Sequence, residues 1–179
     1  YQAPGSGLVI VQQRSPVLKV GGTRLTQSHK THFAQRLKAW IEEAGFAEVL
    51  IIASMDAAFR TDAEMQYALH TSHSTAQWKL CPPKATDTPL AAAAAHLPTF
   101  GDTPLPPIPG GGMTRTYLEH APPTTLALLQ FSAEGDNRGD AYALAAEAAR
   151  LCRVPVETWH EPDSWRTLFG PAPDQQLYG

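Results

Sequence analysis

Apolar residues come along this chain in short unbroken runs, separated by stretches of helical period. Leu8 to Gln12 (LVIVQ), Val49 to Ala53 (VLIIA) and Leu126 to Phe131 (LALLQF) show no polar alternation, the pattern of strands covered on both faces. Pro16 breaks the first run, and Val17 to Val20 reads as a second short strand or a continuation past a bulge before the Gly21-Gly22 turn. Phe33, Leu37, Trp40, Ile41 and Ala44 then fall at i, i+4, i+7, i+8 and i+11, which predicts a helix over Gln27 to Ala44. Thr26 or Ser28 can cap its start and Gly45 its end. A second helix is predicted from Arg138 to Arg153, with Ala141, Leu144, Ala145, Ala148, Leu151 and Cys152 on one face. Strand, helix and strand in that order give a right-handed parallel crossover. The expectation is an α/β domain with a mostly parallel sheet.

The polar stretches divide the remainder. Asp62 to His70 has helical spacing at Met65 and Leu69 but is polar and short. Residues 71–107 read as a loop-rich insertion in which little but Trp78 and Leu80 packs, with one short surface helix at Ala91 to Ala95. Pro104 to Pro109 is an extended approach to three consecutive glycines, Gly110, Gly111 and Gly112. Glu134-Gly135-Asp136-Asn137 forms a tight turn with candidate N-caps for the second helix. Val154-Pro155-Val156 leads into Trp159, and Pro162 to Gly170 reads as a short helical turn carrying Trp165 and Phe169. Residues 1–170 are thus expected to form a single domain and 171–179 a flexible tail. The chain opens on Tyr1 without a leader signature, which reads as a fragment lacking its beginning.

Composition narrows the classes. A chain of 179 residues with 43% hydrophobic content can build one core, and no run approaches the ~20 apolar residues of a membrane helix. The net charge of −3 with scattered basic residues argues against nucleic acid. Cys81 and Cys152 stand far apart without a CxxC partner, so a reducing compartment, cytosol or nucleus, is the default. Seven histidines (His29, His32, His70, His73, His96, His120, His160) have no ligand spacing, and no metal is expected.

Candidate chemistry gathers at predicted strand ends. Ser54, Asp56 and Arg60 follow the Val49 run and can act there, or simply cap and solvate a turn. The glycine triplet can cradle a phosphate through its amides, yet it lacks the lysine of a P-loop and the spacing of a dinucleotide motif. Glu134 and Asp136 can serve acid/base chemistry or hold a sugar, or can be turn formers. The terminal Leu177-Tyr178-Gly179 is a peptide hook: its carboxylate suits a lysine or a nest of amides while the two side chains enter adjacent pockets.

Three motifs in register, Ile108-Pro109-Gly110-Gly111-Gly112-Met113-Thr114-Arg115-Thr116, Glu134-Gly135-Asp136-Asn137 and Ser164-Trp165-Arg166-x-Leu168-Phe169-Gly170, resemble the proteasome assembly chaperone 2 family. The Leu8 to Ser15 strand, the Lys38-Ala39-Trp40 helix and the Val49 to Ser54 strand fit its order, without its N-terminal portion. The resemblance implies a three-layer sandwich related to nucleoside phosphorylases and hydrolases, with no cofactor and no catalysis. It implies a heterodimer with proteasome assembly chaperone 1, located in cytoplasm and nucleus. That pair would bind the outer face of the proteasome α-ring, help the ring form and block premature docking of regulators. Leu177, Tyr178 and Gly179 would enter a pocket between α subunits. Pro109, Gly110, Gly111, Gly112, Thr114, Glu134, Gly135, Asp136, Asn137, Trp165 and Phe169 would be structural or interface residues. The insertion departs from the family, and nothing functional carries over to it. The alternative is a nucleoside phosphorylase- or hydrolase-like enzyme with Gly110 to Gly112 on phosphate and Glu134 and Asp136 on the sugar.

Overall fold

The computed structural model describes residues 7–13, 27–62, 77–80, 88–101 and 103–167. Within them the elements run α1 (Gln27–Glu43), β1 (Val49–Asp56), β2 (Gln77–Leu80), α2 (Pro89–Ala93), α3 (Thr114–His120), β3 (Thr125–Ser132) and α4 (Arg138–Leu151). Short 3-10 turns lie at Ala57–Phe59 and Asp163–Thr167. The α/β class expected from the sequence is what forms.

The sheet among the described residues has three strands in the order β1-β3-β2 and is mixed. β1 runs parallel to β3, from Val49 opposite Thr125 to Asp56 opposite Ser132. β2 runs antiparallel to β3, from Gln77 opposite Gln130 to Leu80 opposite Ala127. β3 is therefore the centre, and its residues from Thr125 to Phe131 are all buried. Alternation sends them to two apolar layers. Ala127, Leu129 and Phe131 meet Met55, Leu80, Phe100 and Leu118 on one side, where Phe100 and Phe131 stack edge to face. Leu126 and Leu128 meet Leu90, Ala94, Leu97 and Leu151 on the other. Thr125 and Gln130 are the buried polar residues of the strand; Gln130 Nε2 donates to the Asp140 carbonyl at 2.9 Å and ties the strand to the first turn of α4.

Several expectations fail for a common reason: an apolar run specifies a wish for burial, not the neighbour that supplies it. Leu8 to Gln12 forms no strand, only a bridge at Val9, and Ile10 and Val11 are 54% and 64% exposed. The parallel pair is β1 with β3, not β1 with the N-terminal run. Among the described strands β1 lies outermost, and its Ile52 is 50% exposed where the sequence predicts burial on both faces. Helix α1 forms as expected, and Gly45 at φ +70 closes it, its N–H donating to the Glu42 carbonyl at 3.2 Å. Its stripe is only half used: Ala34 is buried, while Phe33 leans on Tyr117 of α3 with ring centroids 6.1 Å apart. Thr26, the side chain of Ser28, the Val17 to Gly22 stretch, Met65 to His73, Cys81 and the tail lie outside what the structure describes.

The insertion differs most. Rather than a surface element, α2 is part of the core, with Leu90, Ala94 and Leu97 buried at i, i+4 and i+7. Thr88 caps it, Oγ1 accepting from Ala91 N at 3.1 Å, and Pro89 fills the first turn. Glu48, just before β1, accepts from Leu90 N at 2.7 Å and fixes the helix to the sheet. Residues 98–100 then run alongside β2, Lys79 N donating to Pro98 O at 2.8 Å and Phe100 N to Lys79 O at 2.9 Å. α3 has no counterpart in the periodicity of the sequence, because seven residues supply too short a period.

Replacing Leu128, fully buried at the centre of the sheet, with alanine is expected to cost ~2–5 kcal/mol in urea unfolding. Ile52→Ala at the exposed edge should cost about 1 kcal/mol, since half its surface is already wet. Equal losses would show that the β1 edge is covered in solution.

Candidate functional site at the strand ends

The parallel strands β1 and β3 end side by side, and this is where α/β folds place their working loops. Asp56 closes β1. Its Oδ1 accepts from Ala58 N at 2.9 Å and caps the 3-10 turn Ala57–Phe59. Its backbone N–H donates to Pro109 O at 3.0 Å, so the glycine loop crosses directly over the strand end. The crossing explains Gly110. A Cβ there would lie 2.8 Å from Asp56 Cβ and 2.9 Å from Asp56 N, at a φ of +67. Gly111 fits equally tightly, its missing Cβ falling 2.4 Å from Cγ2 of Ile108. Gly112 faces open space and is required by its φ of +58 alone.

Two of the loop's donors are turned inward. Gly111 N donates to Ile108 O at 3.1 Å, and Thr114 N donates to Gly111 O at 2.9 Å as α3 begins. Ile108 packs on the core and Thr114 is buried, so both ends of the loop are anchored.

Past β3 the chain turns through Glu134, Gly135 at φ +114, Asp136 and Asn137. Asn137 stands at the N-cap of α4 but makes no side-chain cap bond. Asp136 does the local work instead. Its Oδ1 accepts from Arg138 Nε at 2.9 Å and from Arg138 N at 3.2 Å, and its Oδ2 accepts from Arg138 Nη2 at 2.6 Å. Hydrogen bonding from that guanidinium lowers the Asp136 carboxyl to about 2. Arg138 also reaches Glu161 at 3.7 Å, which links the turn to the segment leading to Trp165. Trp165 N donates to Pro162 O at 2.9 Å.

An open concavity of about 600 Å³ lies at the strand ends, lined by Asp56, Ala57, Ala58, Ala133 and Glu134. Of the two carboxylates singled out in the sequence, Glu134 lines it and Asp136 does not. Asp56 takes the second place, and the register explains why: it sits opposite Ser132, two residues before Glu134. Phe59 of the adjoining turn is 64% exposed. Arg60 lies over the Phe131 ring at 5.5 Å from its centroid.

Phe169, Leu177, Tyr178 and Gly179 lie outside the described residues. Among the described residues no group of three or more His, Cys, Asp or Glu can hold a metal ion. His96 meets Glu147 at 3.2 Å, and His120 meets the Thr116 carbonyl at 3.0 Å. No helix among the described residues is long and apolar enough to cross a membrane.

No family model matches the chain. Individual relatives do. A protein named proteasome assembly chaperone 2 from Nematostella vectensis is 27% identical over 159 residues, covering 80% of this chain and 59% of that protein. Those of the same name from Mus musculus and Homo sapiens are each 27% identical over 190 residues, covering 95% of this chain and 68% of theirs. The resemblance carried by the three motifs is borne out. The chain spans 59% to 68% of the length of these relatives.

Gly110→Ala should destabilise more than Gly112→Ala in thermal unfolding. Both carry the ~1–2 kcal/mol strain of the left-handed region, and only the first adds a backbone collision at Asp56. Equal losses would mean that the loop does not cross the strand end closely. Asp136 should titrate by carbon-detected NMR near about 2, and Arg138→Gln should return it toward the ordinary value of ~3.9. Because the folded value is depressed, this pair's contribution to stability is present above the ordinary aspartate value and is lost as pH falls toward about 2.

Proposed function

We propose that this chain, a relative of the proteins named proteasome assembly chaperone 2, is a chaperone for assembly of the 20S proteasome. The observation that carries the reading is a match to identically named relatives that covers 95% of the chain. It acts by docking and turns over no substrate. Its partner is proteasome assembly chaperone 1, and the heterodimer binds the outer face of the α-ring, helps that ring form and blocks premature docking of regulators, in cytoplasm and nucleus. The finer architecture belongs to the same proposal. Residues 1–170 form one nucleoside-phosphorylase/hydrolase-like sandwich, the insertion 71–107 belongs to it, and 171–179 is the tail.

Leu177, Tyr178 and Gly179 are the anchor for a pocket between α subunits. Ordering such a tail costs about 1–2 kcal/mol per residue, so it needs a second contact on the folded body to raise its effective concentration. The motif residues Pro109 to Gly112, Thr114, Glu134 to Asn137, Trp165 and Phe169 supply the frame of that body or its interface. The inward-turned amides of Gly111 and Thr114, and the engagement of Asp136 by Arg138, support a structural role over the enzymatic alternative.

Deleting Leu177 to Gly179 is expected to weaken binding to isolated α-rings about tenfold, a change of ~1.4 kcal/mol, with an unchanged circular dichroism spectrum. Unchanged affinity removes the tail from the mechanism. Phosphorolysis or hydrolysis of nucleosides by the purified protein, abolished by Asp136→Ala, would overturn the docking reading altogether.

A further inference from the structure

The two outer strands of the described sheet are finished differently. β2 is short, carries Lys79, and has a second segment along its outer side, Lys79 N donating to Pro98 O at 2.8 Å and Phe100 N to Lys79 O at 2.9 Å. A short strand, a lysine and a covering segment are the means by which folded proteins keep a margin from pairing with other chains. β1 has none of them. It is eight residues long, reads Val-Leu-Ile-Ile-Ala-Ser-Met before its only charge at Asp56, and contains no proline, glycine or lysine. We infer that the outer side of β1 receives an extended segment of a partner protein, apolar in its middle and basic at its ends, as an added strand.

Backbone geometry carries the inference. Val49 N donates to Thr124 O at 3.1 Å, so the N–H and C=O groups of Val49, Ile51, Ala53 and Met55 face β3. Those of Leu50, Ile52, Ser54 and Asp56 face the other way. Asp56 conforms, its N–H donating to Pro109 O at 3.0 Å where the glycine loop closes that end of the strand. For Leu50, Ile52 and Ser54, nothing among the described residues accepts from the N–H or donates to the C=O. A row of such groups is a template for one more strand. Ile52 stands in the middle of the row and is half-exposed, so apolar surface waits at the same place. Backbone and side chain are separate observations, and one extended chain satisfies both.

Charge decides which chain. A second copy can pair here only antiparallel, by two-fold symmetry, and centred on Ile52 it would set Glu48 beside Asp56 of the other copy at both ends. Like charges opposite one another destabilise a strand pair. A partner segment with lysine or arginine at its ends meets the same two carboxylates favourably.

The inference goes beyond the assembly reading and does not depend on it. In the full chain, amide hydrogen exchange should be about a hundredfold faster at Leu50, Ile52 and Ser54 than at Ile51, Ala53 and Met55. Titration with acetyl-Lys-Val-Thr-Val-Thr-Lys-amide should then slow the first three amides saturably and shift their resonances. The same peptide N-methylated at its four central residues should do neither, having lost the donors of the ladder. With glutamate in place of both lysines, the peptide should bind about fivefold more weakly. Ile52→Lys, a change at a half-exposed side chain, should weaken the lysine peptide about tenfold with an unchanged circular dichroism spectrum. Equal exchange at all six amides of the free chain, equal binding of the N-methylated peptide, or indifference to Ile52→Lys would overturn the inference. Sedimentation velocity decides the occupant. A monomer is expected, and a dimer that Ile52→Lys dissociates would overturn the partner strand in favour of a second copy.

Discussion

Burial of β3 on both faces is the constraint from which the rest of this molecule follows. Leu126, Ala127, Leu128 and Leu129 have almost no contact with water, and their backbone groups are satisfied only by a strand on each side. The parallel partner β1 supplies one set of bonds and the antiparallel β2 the other. Each face then needs an apolar cover. α4 and α2 provide one, and α3 with the segment around Phe100, Leu105 and Ile108 provides the other. An insertion of unpromising composition is thereby drawn into the core, because the central strand cannot be dry without it.

The same constraint builds the strand-end region. With β1 and β3 in register, Asp56 and Ser132 end together, and the chain leaving each must turn away at once. The loop that precedes α3 crosses the end of β1 with so little clearance that Gly110 has no space for a side chain, while Gly111 is crowded by Ile108 of the loop itself. The turn after β3 is held by the fork of Arg138 on Asp136. A pair of carboxylates, Asp56 and Glu134, is left facing one concavity over a floor of alanine.

Legibility varied with the kind of information each segment carried. The Val49 and Leu126 runs and the helices starting at Gln27 and Arg138 were readable because their periods are long and consistent, and Gly45 marks its helix end by chemistry alone. The stripe Leu90, Ala94, Leu97 was present in the sequence but hidden by the alanines around it, which carry no periodic signal of their own. Asp56 was named among the candidates of its strand end, but its pairing with Glu134 depends on a register that no local pattern encodes. Glu134 and Asp136 are neighbours in sequence, yet Arg138, two residues on, engages Asp136 while Glu134 lines the concavity.

What the sequence determined by itself was local: which stretches want to be dry, where helices begin and stop, and which motifs tie the chain to its relatives. These depend on side-chain polarity and backbone sterics within a few residues. The tertiary structure alone decided which run became the centre of the sheet and which an edge, why Gly110 must lack a side chain, and which carboxylates share a surface. Those outcomes arise from strand pairing and close packing between segments tens of residues apart, where one partner's position exists only once the other is in place.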